Sequence, residues 1–175
     1  MLSKPTSLKS NRDKMDIKIE WNTIRQHFNK SYRTNYHVSV ASVDSENNPT
    51  VTPIGSLFLN KNQTGFYFEK YPSKLPDHAK KNRNICILAV NSNMWFWIKS
   101  LYKGKFKSYP AIKLYGQLGD RREATEIEIN RLKRRMKTTS RMKGNKYLWG
   151  HMKFVRDITF KKAEKINLGE MTIDL

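Results

Sequence analysis

Two short segments concentrate the residue types that could hold a planar, phosphorylated ligand. In Thr50-Val51-Thr52-Pro53-Ile54-Gly55-Ser56-Leu57, a strand-like run loses one backbone amide at Pro53 and all side-chain bulk at Gly55. A strand interrupted in this way leaves space beside its backbone for a flat molecule. In Tyr67-Phe68-Glu69-Lys70-Tyr71-Pro72-Ser73-Lys74, an aromatic strand end leads into a turn offering the Ser73 hydroxyl and the Lys74 ammonium. That pair suits a phosphate dianion, each charge-assisted hydrogen bond contributing roughly 1.5–3 kcal/mol. The plain alternatives are an ordinary bulge at Gly55 and a solvated lysine at 74.

Other chemistries lack their parts. His27, His37, His78 and His151 are dispersed, with no H-x-H, H-E-x-x-H or C-x-x-C spacing, so no metal site is expected. There is no phosphate loop, no G-x-G-x-x-G and no G-x-S-x-G nucleophile elbow. The single cysteine, Cys86, sits in the apolar run 85–90 and reads as a buried, unreactive thiol. No side chain is compelled to act as a catalytic acid or base.

Charge supplies a third feature. The 175 residues carry 34 Lys+Arg against 15 Asp+Glu, a net charge of +19 that predicts attraction to polyanions without choosing among nucleic acid, acidic lipid and phosphorylated small molecules. Eight of the basic residues fall in 131–146: Arg131, Lys133, Arg134, Arg135, Lys137, Arg141, Lys143 and Lys146. This tract reads equally as a binding surface and as a solvated helix face.

The elements that must position these groups follow from the apolar pattern. Residues 1–15 are polar and basic, without periodicity or an apolar signal-peptide core, and read as a mobile leader. Ile17, Trp21, Ile24 and Phe28 then mark one face of a helix capped by Asp16 and ending near Lys30. Strands are expected at 36–41, 50–59 (broken at 53–55), 66–68, 84–90, 110–118 and 152–160, with a short polar helix at 75–82. The run 84–90 suggests burial on both faces. Asp120 and Glu123 have the spacing of a capping box for a helix carrying Ile129, Leu132 and Met136, and residues 166–168 suit a final short strand. Met152, Phe154, Ile158 and Phe160 fall on one face of the last long strand, with Arg156 intruding on it.

The aromatic and lysine-rich stretch 91–109 reads as a helix or a flap inserted between strands. Connections of about six residues between the first strands are too short for helical crossovers, so the expectation is a mainly β, antiparallel barrel with peripheral helices. It forms a single domain over 16–175. With 38% hydrophobic residues and 20 aromatics the chain has material for a full core, and it contains no run of 18 apolar residues. A cytoplasmic protein without a membrane span is the default.

In this order, residues 48–59 (NPTVTPIGSLFL), 65–74 (GFYFEKYPSK), 79–90 (AKKNRNICILAV) and 112–118 (IKLYGQL) resemble the FMN-binding split barrels related to pyridoxamine 5'-phosphate oxidase. The resemblance covers residues 20–130 and the last strand. It implies a split β-barrel that forms a homodimer with FMN at the subunit junction, and hydride transfer between the flavin and a small-molecule substrate. It also implies ring contacts from Thr52, Pro53, Ile54, Gly55 and Ser56, and phosphate or ribityl contacts from Phe68, Glu69, Ser73 and Lys74. Trp149, His151 or Arg156 would reach the partner's flavin site. The family's oxidases usually carry basic residues near the positions of Thr52 and Leu57. Both are uncharged here, which points away from vitamin B6 itself as substrate. The same barrel also suits a non-catalytic flavin- or haem-binding protein, or a basic nucleic-acid-binding module.

Overall fold

A computed structural model describes residues 13–71 and 74–175. The first twelve residues of the expected leader, and Ser73, lie outside the described residues. Lys14 and Met15, assigned above to the leader, instead form a short strand (β1, Lys14–Met15) paired with Glu164 and Ala163, and Met15 joins the core.

The first helix, α1 (Trp21–Asn35), begins and ends later than expected. Asp16 does act as a cap, but for the turn before the helix: its carboxylate accepts from the amides of Lys18 and Ile19 at 2.8 and 3.2 Å. Glu20 takes the N-cap position. Beyond Lys30 the apolar stripe lapses, yet the helix continues because Ser31 is small enough to be fully buried and Asn35 Nδ2 donates to the Val90 carbonyl at 2.7 Å.

The strands are β2 (Val38–Val43), β3 (Pro49–Ile54), β4 (Leu57–Leu59), β5 (Thr64–Phe68), β6 (Asn84–Val90), β7 (Ala111–Glu123) and β8 (Phe154–Lys165). They form one antiparallel sheet in the order β3-β2-β6-β7-β8-β5-β4, with β1 added to β8. The two ends of this order, β3 and β4, are consecutive in the chain and are joined by Gly55 and Ser56 alone. The sheet therefore curls until its end strands are neighbours along the chain, with a seam at the break the sequence placed at Pro53 and Gly55. Pro49 and Pro53 lie exposed on the end strand β3.

The barrel interior holds the main core, including Val40, Ile54, Tyr67, Ile87, Leu114 and Ile158, with Trp21, Ile24 and Phe28 of α1 packed on it. In β6 only Ile85, Ile87 and Ala89 are buried, so the expectation of two buried faces is corrected: an antiparallel barrel has one inner face, and Cys86 and Leu88 on the other are half-buried. Burial nonetheless pushes the Cys86 thiol up.

Strand β7 runs on to Glu123 because it stays paired with β8 as far as Phe154. Asp120 and Glu123 are thus strand residues, and the capping box lies five residues on, where Thr125 and Glu128 cap α4 (Glu126–Arg135) reciprocally. Helix α4 covers a second core of Phe58, Phe66, Phe68, Leu132, Met136, Met152 and Val155 on the outer face of the β4–β5–β8 end of the sheet. Met152 therefore leaves the face it was expected to share with Ile158 and Phe160. A register shift at Tyr115/Gly116 turns Ala163 inward. Residues 166–168 form no strand, and a 3₁₀ turn, Gly169–Thr172, follows them. The remaining helices are α2 (Lys74–Ala79), α3 (Met94–Lys103) within the 91–109 insertion, and α5 (Lys143–Trp149). No described helix is long and apolar enough to cross a membrane.

Candidate functional site

The seam between β3 and β4 borders a cavity of about 280 Å³. Thr52, Pro53, Ile54, Gly55, Ser56 and Phe68, all singled out from sequence, line it together with Trp149. Tyr71, Leu148 and Met152 complete the wall. The last two come from the α5 end and the link to β8, more than 90 residues beyond Ser56 in sequence, and no local motif marks them.

Two contacts define this slot. Ser56 Oγ, buried, accepts from the Phe68 amide and donates to the Phe68 carbonyl, both at 3.2 Å, so the hydroxyl ties the seam to β5 and is spent on backbone. At Gly55 a Cβ would stand 2.9 Å from Trp149 Cη2 and 3.0 Å from the Tyr36 carbonyl oxygen. The close approach inferred from the glycine is thus made by the chain's own indole, which forms one wall of the slot.

Helix α5 is held there by the loop after β5. Lys70 Nζ donates to the carbonyls of Tyr147 and Gly150 at 3.2 and 2.7 Å, and the Tyr71 hydroxyl donates to the Tyr147 carbonyl at 2.5 Å. Lys74 stands exposed at the start of α2.

Glu69 and Arg156 face each other in a separate groove of about 430 Å³, which Lys70, Lys80, Arg83 and Arg121 also line. Arg156 Nε and Nη2 both lie 3.0 Å from the carboxylate and Nη1 donates to the Gly119 carbonyl at 3.0 Å. Glu69 is buried and Arg156 half-buried, their side chains 6% and 12% exposed. Their neighbour on β5, Tyr67, is buried too, and burial first and the Glu69 charge second push its phenol up. His151, in a left-handed conformation at φ 59°, borders a third cavity of about 540 Å³ between α4 and α5. Trp149 and Met152 line both this cavity and the slot.

The basic tract divides. Lys133, Arg134 and Lys137 are exposed, whereas Arg131 and Arg135 turn inward. Arg131 donates to Asn60 Oδ1 at 2.7 Å and to the Leu59 carbonyl at 3.2 Å; Arg135 donates to the Leu57 carbonyl and lies over the Phe58 ring, 3.5 Å from its centroid. Burial lowers the Arg135 guanidinium to about 10, which leaves it charged at neutral pH.

No family model matches the chain, and no curated protein does. Solved structures are similar in fold. An FMN-binding protein from Syntrophomonas wolfei subsp. wolfei superposes with a TM-score of 0.56 at 15% identity, covering 87% of this chain and 96% of that one. HupZ of Group A Streptococcus gives 0.55 at 18% identity over 85% and 94%. A Clostridium acetobutylicum protein related to general stress protein 26 of B. subtilis, of the pyridoxinephosphate oxidase family, gives 0.50 at 14% identity over 89% and 93%. With its curled antiparallel sheet and peripheral helices, the chain has the split-barrel fold of the FMN-binding proteins related to pyridoxamine 5'-phosphate oxidase.

Proposed function

We propose that this chain is a homodimeric FMN-binding oxidoreductase acting on a small molecule in the cytoplasm. The observation that carries the reading is the slot at the seam, whose back wall is the Thr52–Ser56 backbone and whose sides are Phe68, Tyr71 and Trp149. At about 280 Å³ it is close to the lower end of known ligand pockets, roughly 300–1,000 Å³. Its apolar, aromatic walls and the missing Cβ at residue 55 fit the ring of a flavin. The Trp149 indole already lies against Gly55, so a ring entering there stacks on Trp149 or displaces it. The phosphate end is the role of Lys74 at the start of α2.

A bound FMN supplies two-electron redox chemistry. The protein's part is to present the backbone of residues 52–56 to the ring edge, to exclude water with Tyr71, Leu148 and Trp149, and to offset the phosphate charge with Lys74. A second subunit would close the open side of the slot.

One observation favours a second reading, a flavin carrier without turnover. The described residues lining the slot include no carboxylate, imidazole or ammonium, and Tyr71 is the one titratable group among them.

The absorption spectrum of freshly purified protein, with mass identification of whatever denaturation releases, tests the proposal. Oxidised-flavin bands and released FMN are expected. A Soret band, or colourless protein that added FMN does not reconstitute, overturns it. Catalytic reduction of the bound flavin by a member of a panel of small-molecule donors, NADH and NADPH included, separates the oxidoreductase from the carrier.

A further inference from the structure

Helix α3 leaves most of its apolar surface in water. Met94, Trp95, Ile98, Leu101 and Tyr102 are 69%, 66%, 46%, 64% and 90% exposed. Phe96 and Trp97 turn inward onto Phe106, with ring centroids 5.4 and 5.1 Å away, and Ser100 is buried with its hydroxyl donating to the Phe96 carbonyl at 2.7 Å. At about 100° per residue the five exposed residues span an arc of about 120°, bounded on one side by Lys99 and Lys103. Lys105 and Lys107 follow, and residues 91–109 contain no Asp or Glu. Asp174 stands 3.8 Å from Lys105 Nζ in an exposed ion pair.

The helix is firmly built. Asn93 Oδ1 accepts from the Phe96 amide at 2.9 Å, and Gly104 ends the helix in the left-handed region at φ 64°. None of the five exposed residues lines the slot, the Glu69–Arg156 groove or the α4–α5 cavity. An ordered helix thus presents an apolar stripe edged on one side by lysines, on a chain of net charge +19.

A partner for this face must accept apolar side chains and carry negative charge. Two copies of the face brought together would set Lys99, Lys103 and Lys107 against their counterparts, with no acidic residue in the segment to offset them. An anionic bilayer surface satisfies both requirements: Trp and Tyr are at home in the interfacial layer, and lysines at the edge of an apolar helix face reach lipid phosphates. We propose that α3 is a peripheral membrane contact in which Met94, Trp95, Ile98, Leu101 and Tyr102 enter the headgroup layer of an anionic bilayer while the flanking lysines pair with its phosphates. The proposal is independent of the flavin reading.

Vesicle flotation of the full chain, with tryptophan emission recorded against brominated acyl chains, tests it. Vesicles are phosphatidylcholine alone or mixed with phosphatidylglycerol. Expected are binding to the mixed vesicles at least roughly tenfold above the neutral ones, and quenching by the bromines. Trp95→Ser combined with Leu101→Ser should lower that binding at least roughly tenfold and remove the quenching, with an unchanged melting temperature because both side chains are exposed. Undiminished anionic binding in the double variant overturns the proposal, since net charge alone then explains it. Absence of wild-type binding overturns it too, as does light scattering that finds a wild-type dimer which the double variant converts to monomer.

Discussion

Arg135 donates its Nη1 proton to the carbonyl of Leu57 from above the end strand of the barrel. Arg131, one turn earlier, serves Leu59 in the same way. Four residues of helix rise about 6 Å and two residues of strand about 6.8 Å, so the i, i+4 repeat of α4 matches the i, i+2 repeat of outward carbonyls on β4. The two guanidiniums close an edge that no further described strand covers.

Arg135→Ala is therefore expected to destabilise the fold by about 2–4 kcal/mol, since it strands a carbonyl and removes packing from Phe58 and Tyr32. Lys133→Gln, Arg134→Gln and Lys137→Gln, all on the exposed side of the tract, should each change stability by less than about 0.5 kcal/mol. Urea denaturation distinguishes them; equal losses at 134 and 135 would contradict the inward role of Arg135.

His27 should make stability depend on pH. It is buried, its Nε2 donates to the Ala89 carbonyl at 2.9 Å, and burial first, with Lys30 assisting, lowers its pKa below 6.5. The neutral ring is the form that folds, so its contribution is complete above the unfolded value near 6.5 and is lost as pH falls below it toward the folded one. Melting temperatures between pH 7.5 and 5 should decline, and His27→Gln should flatten the decline. An unchanged slope would assign it to other groups.

The Glu69–Arg156 pair should respond unequally to single and double replacement. Glu69→Leu or Arg156→Met leaves a largely buried charge without its partner and is expected to cost about 3–5 kcal/mol. The double variant Glu69→Leu with Arg156→Met should lose less than either single one. Additive losses in a double-mutant cycle would show that the two do not act as a pair.

Gly55→Ala should force the Trp149 indole off the seam, because the added carbon would lie 2.9 Å from its edge. A loss of about 1–3 kcal/mol is expected. In a Trp149→Ala background the cost should shrink without vanishing, since the Tyr36 carbonyl is still 3.0 Å away. An identical cost in both backgrounds would mean the indole is not the obstacle.

Lys74→Ala should weaken FMN binding by at least roughly tenfold if its ammonium meets the phosphate. The Lys133→Gln/Lys137→Gln variant serves as the control with unaltered affinity. Fluorescence titration with FMN reads both; equal affinity in wild type and Lys74→Ala removes this lysine from the site.

What the sequence disclosed was local. The break at Pro53 and Gly55 was legible because proline and glycine alter the strand wherever they occur, and β6 was bounded correctly because an asparagine stands at each end of an unbroken apolar run. Asp120 and Glu123 misled because a capping-box spacing cannot reveal that the strand remains paired with β8, while the same spacing at Thr125 and Glu128 does cap. Of the candidate site residues, those at 52–56 and Phe68 gather in one cavity because they adjoin the seam. Trp149 reaches it from a distant helix, held by the Lys70 and Tyr71 contacts with α5 and by packing on the second core. The inward arginines of α4 were invisible for a similar reason: a basic helix declares its charge and not what lies beneath it.

The prolines of β3 have a consequence for assembly. A proline cannot donate to a neighbouring strand, so the Pro49 and Pro53 nitrogens belong on the side away from β2, and Val51, of the same parity, points its amide there too. Of three successive outward positions only one keeps a proton to offer. An incoming strand would find few donors along this rim, so β3 is poorly suited to extend its sheet into that of another molecule.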